Sequence, residues 1–128
     1  MKKLLVAAIV ALSLGACAQI QTAYDAVSGA KVSPTAVIVA GNSFDALEAT
    51  ATNYLRLKKC NGSNGPVCRD PKATAIIIPA VRSGRVARTN LEQFMKDHPG
   101  ELGPQGLYDS LKVSIDTLRQ AFSQYNIN

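Results

Sequence analysis

The chain has 128 residues, 47% hydrophobic and 5% aromatic, with no Trp. That length suits one domain with a modest core and excludes a two-domain enzyme carrying a separate cofactor module. Only 18% of the residues are charged and the net charge is +5, which excludes a highly charged disordered chain.

The first segment, residues 1–16, is Met1-Lys2-Lys3, an apolar run from Leu4 to Leu14, then Gly15-Ala16. A basic start, a short apolar stretch and small residues before a cut site predict an export signal that is removed. As a helix the run spans about 16 Å, too little for a hydrocarbon core of about 30 Å.

Leu14-Gly15-Ala16-Cys17 resembles the lipobox of bacterial lipoproteins. The resemblance implies that Cys17 takes a diacylglyceryl group, that the signal is cut before it and that the new N-terminus is acylated. Ala18, in place of an Asp, implies an outer-membrane address facing the periplasm. Two or three acyl chains hold a protein firmly at a membrane, where one binds only marginally. The likeness covers the first 17 residues and carries nothing about the rest.

Residues 17–33 are expected to be a lipidated N-terminus and tether, with Ile20, Tyr24 and Val27 at helical spacing. A domain follows over 34–128. Ser33-Pro34 is a helix start, with Ser as cap and Pro at the first position. Val37, Ala40, Phe44, Leu47, Ala51, Tyr54 and Lys58 then recur at three- and four-residue steps, predicting a first helix over about 34–59 in which Ala and Gly41 permit close approach. Cys60 and Cys68 remain as a pair once Cys17 is lipidated, and in an oxidising compartment they are expected to form a disulfide across the turn-rich Asn61–Val67 connector. Two sulfurs without a nearby His or second Cys pair make poor zinc ligation.

Asp70-Pro71 repeats the start signal, and a second helix is expected over 70–97, kinked near Pro79, with Ile77, Val81, Gly84, Arg88, Leu91 and Met95 on its seam. Ile76-Ile77-Ile78 before the proline is the one place where a short strand competes. His98-Pro99-Gly100 opens a turn, His98 being read as a cap at the negative helix end. Tyr108, Leu111, Ile115, Leu118, Phe122 and Tyr125 define a third helix over 104–125. The expected fold is all-α: a small antiparallel three-helix bundle with a disulfide-closed loop between helices one and two.

No catalytic set emerges. The chain has one His, its cysteines are assigned, and Asn61-Gly62-Ser63-Asn64-Gly65 lacks the Lys-Ser/Thr of a phosphate loop. Neither a cofactor nor a metal is expected. Charge is uneven: residues 56–88 carry eight bases against Asp70 alone. Lys58, Lys59, Arg69, Lys72, Arg82, Arg85 and Arg88 form the candidate basic contact surface, and the antiparallel hairpin puts the loop end of this zone at the pole away from the anchor. The sequence therefore predicts a non-enzymatic envelope lipoprotein, a structural or interaction module. Its expected partners are the membrane through its lipid, and peptidoglycan, anionic lipid or an acidic envelope protein through the basic tip. Nucleic acid is disfavoured by compartment and by the lack of interleaved aromatics. The alternatives are a prophage-encoded, spanin-like lysis lipoprotein and, less favoured, an envelope enzyme.

Overall fold

The structure is a computed structural model that describes residues 31–62 and 67–128. The expected signal segment, Cys17 and residues 18–30 lie outside the described residues.

The order is β1 (Lys31–Val32), α1 (Pro34–Leu55), α2 (Pro71–Asp97), β2 (Gly103–Pro104) and α3 (Gln105–Gln124). The expected three-helix bundle is formed. Each start signal works as its chemistry requires. The Ser33 side chain accepts from the Ala36 N–H, and Asp70 Oδ1 accepts from the Lys72 and Ala73 N–H groups, while Pro34 and Pro71 occupy first positions where no N–H is needed. α2 runs as one helix past Pro79, so Ile76-Ile77-Ile78 is helical, not a strand.

The helices alternate in direction. β1 pairs antiparallel with β2, Val32 opposite Gly103, which sets the starts of α1 and α3 at one pole. Between α1 and α2, Glu48 meets Arg85 and Asp45 meets Arg88; the number falls on one helix as it rises on the other, as antiparallel neighbours require. Lys31 and Val32, within the segment expected to be tether, form β1, and Ser33 caps α1 as its sequence position predicts.

The core follows the expected seams. Phe44, Ile77, Leu91, Leu111 and Leu118 are its largest fully buried side chains. The close approach is made at Gly84 and not at Gly41. A Cβ on Gly84 would lie 2.0 Å from Phe44 Cε2, so the ring lies directly on the α2 backbone. At Gly41 the nearest atom to such a Cβ is Arg88 Nε at 4.0 Å, an ordinary contact.

The first helix is shorter than its periodicity suggests, ending at Leu55 rather than Lys59. Residues 58–60 are drawn out of helical geometry by pairing with Arg69: the Arg69 N–H donates to the Lys58 carbonyl and the Cys60 N–H donates to the Arg69 carbonyl. The Cys60–Cys68 disulfide closes this loop. α1 has 22 residues, about 33 Å of rod at 1.5 Å per residue, so Ser33 and the disulfide lie at opposite poles.

Candidate functional site

The disulfide pole is built from three chain segments. The end of α1 brings Tyr54 and Leu57, the cross-linked loop brings Val67 and Cys68, and the end of α3 brings Tyr125 and Ile127. The Tyr54 hydroxyl, largely buried, accepts the Asp70 main-chain N–H and so fixes the α2 start against the α1 end.

The α3 end is shaped by a reversal at Asn126. Its φ is 50°, the left-handed region that Asn tolerates better than most residues. The Ile127 N–H reaches back to the Phe122 carbonyl and the Asn126 N–H to that of Ser123, the paired bonds of a Schellman stop. This returns Ile127 onto the core. The result is an open cleft of about 500 Å³ whose lining mixes Leu57, Val67 and Ile127 with Asn53, Asn126 and Asn128.

Charge concentrates beside the cleft. Arg56, Lys58, Lys59, Arg69 and Lys72 lie in the segments that frame it, and Asp70 is the one acid among residues 56–72. The Asp70 carboxylate is engaged by the first turn of α2. Arg69 Nε is buried with no hydrogen-bond partner among the described residues.

The seven expected basic residues therefore divide. Lys58, Lys59, Arg69 and Lys72 gather at the disulfide pole, joined by Arg56, which caps the C-terminus of α1 and lies outside the expected contact set. Arg82, Arg85 and Arg88 do not belong to that pole. They begin 12 residues past the Asp70 cap, about 18 Å down the α2 rod. Arg85 pairs with Glu48, and Arg88 holds Asp45 through Nε and Nη2 at 2.6 and 2.7 Å and Glu92 through Nη1 at 2.7 Å. The hydrogen bond to Asp45, with the charges of Asp45 and Glu92, raises the Arg88 pKa further above its ordinary value against the cost of burial. Glu92 is held below the ordinary carboxylate value, first by its bond to Lys96 and then by Arg88. Two of the three arginines are thus clasps between α1 and α2.

His98 caps α2 through its main-chain N–H to the Phe94 carbonyl; its ring stacks on Phe94 at 4.6 Å and Nδ1 lies 3.6 Å from Glu101. Among the described residues no three His, Cys, Asp or Glu side chains gather to hold a metal, and no helix is long and apolar enough to cross a membrane.

No family model, no curated protein and no solved structure matches this chain.

Proposed function

We propose that the chain is a small lipoprotein of the bacterial cell envelope, held at the outer membrane through Cys17, which acts by contact rather than catalysis. Its contact surface is the disulfide pole, and the ligand chemistry is anionic. One observation carries this reading: residues 56–72, which form the loop end of the bundle, hold five basic residues and one acid, Asp70, whose carboxylate caps a helix. Charge arranged this way steers an acidic partner and adds salt-sensitive affinity. The bundle and its cross-link hold that pole one helix length from Ser33. Lipid at Cys17 would fasten the chain on the N-terminal side of β1.

Two measurements test it together. Cys17→Ser should move the protein from the membrane pellet to the soluble fraction after carbonate washing. A photo-crosslinking residue placed at Lys72 should give salt-sensitive adducts in intact cells, while the same residue at Arg82 gives none. A Cys17→Ser chain that stays in the pellet rejects the anchor, and equal adducts from both positions reject the pole.

A further inference from the structure

We infer that the cleft at the disulfide pole takes an acidic polypeptide segment carrying an apolar anchor side chain. The inference rests on the reading of that pole as an anion contact and adds the class of partner. Lys58 directly follows the wall residue Leu57, Arg69 lies between Cys68 and Asp70 of the rim, and Lys72 stands in the first turn of α2. The lining is mixed, with Leu57, Val67 and Ile127 as its aliphatic part beside Asn53, Asp70 and Asn126, and Val67 stands 72% exposed. A concave site that combines a few aliphatic side chains with polar groups, and has basic residues next to it in the chain, suits a ligand with both an apolar group and negative charge.

The combination selects among anions. A bilayer surface is flat and has no group that enters a cleft of about 500 Å³ at the level of its headgroups. Cell-wall glycan offers carboxylates but no bulky apolar side chain. An acidic segment of a polypeptide supplies both, carboxylates for Lys58 and Lys72 and a Phe- or Leu-sized group for the space between Leu57, Val67 and Ile127.

The test uses the full-length chain in detergent and two fluorescein-labelled peptides. One is a short run of Asp and Glu with a single Phe and a single Leu; the other has Ala at those two places. The first should bind about tenfold more tightly than the second at low salt, and both should weaken as salt rises. Val67→Ser, an exposed change that leaves the core alone, should abolish the difference between the peptides. Lys58→Glu with Lys72→Glu should weaken both. Equal binding of the two peptides, unaffected by Val67→Ser, overturns the cleft proposal and leaves the anionic pole standing. Failure of both peptides together with sedimentation on vesicles of anionic lipid, or on isolated peptidoglycan, overturns the polypeptide assignment in favour of that surface.

Discussion

Arg88 holds Asp45 by two parallel bonds, Nε to Oδ1 and Nη2 to Oδ2, across 43 residues of sequence. Both groups sit at the surface, Arg88 one-third exposed and Asp45 at 44%. Each exposed pair contributes only about 0.2–1 kcal/mol, the better end of that range going to two-point geometry. Arg88→Ala should therefore lower stability by about 1 kcal/mol, and a double-mutant cycle with Asp45→Ala should return a coupling of about 0.5–1 kcal/mol. Urea unfolding of the four proteins measures it; strict additivity would show that the clasp contributes nothing.

Gly84 is the packing point of the bundle. A Cβ there falls 2.0–2.8 Å from three atoms of the Phe44 ring, which is fully buried. Gly84→Ala should destabilise by about 1–3 kcal/mol, even though Ala is the better helix former by about 1 kcal/mol. Phe44→Leu in the Gly84→Ala background should recover part of the loss. A thermal melt at or above the parent value for Gly84→Ala alone would contradict the contact.

The Cys60–Cys68 bridge closes a short loop between residues eight apart. The chain-entropy model assigns such a loop about 2.5 kcal/mol. Reduction, or Cys60→Ser with Cys68→Ser, should lower the unfolding free energy by about that amount and release the extended pairing of Lys58 and Cys60 with Arg69. Hydrogen exchange at the Arg69 and Cys60 amides reports that release directly.

Acid should loosen the C-terminal half of α2. Glu92 has a folded-state pKa lowered by Lys96 and Arg88. Its contribution is complete above the unfolded carboxylate value of about 4.3 and is lost as pH falls through the lower folded value. Wild type should thus lose stability relative to Glu92→Gln between about pH 5 and pH 3, and parallel stability curves would reject the assignment. Arg88, whose pKa is raised, stays charged throughout that window.

The Asn126 reversal offers a local test. Asn126→Gly should be tolerated, because glycine adopts positive φ without cost, whereas Asn126→Val should lose about 1–2 kcal/mol and displace Ile127 from the cleft. Circular dichroism melts and the Ile127 methyl signals follow the two effects separately.

Much of the bundle is legible in the sequence because its signals are local. Ser33-Pro34 and Asp70-Pro71 announce two helices by cap chemistry, and the Leu111, Ile115, Leu118, Phe122 spacing announces the third. What stays hidden depends on partners far along the chain. Lys58 and Lys59 extend the helical pattern on paper, yet Arg69 and the disulfide pull residues 58–60 into extended pairing. Two glycines, Gly41 and Gly84, look equivalent on their seams until Phe44 is seen on one of them. The strands β1 and β2 have two residues each, too few for an alternation to show.

The candidate site divides for the same reason. Arg82, Arg85, Arg88 and the tip lysines are one block of positive charge in the sequence. Asp45 and Glu48 lie a helix away, and only antiparallel packing brings them to Arg88 and Arg85. Asn126-Ile127 reads as a simple stop, although an Asn followed by an apolar residue is also the pattern of a Schellman reversal. That reversal completes the cleft.

Clasping and contact are separate jobs of the basic residues, and a crossed comparison separates them. Arg85→Gln with Arg88→Gln, and Lys58→Glu with Lys72→Glu, are each measured for urea stability and for binding of the Phe- and Leu-bearing acidic peptide. The arginine pair should lose stability and keep binding, and the lysine pair should keep stability and lose binding. Loss of peptide binding in the arginine pair, with the lysine pair unchanged, would overturn that division of roles.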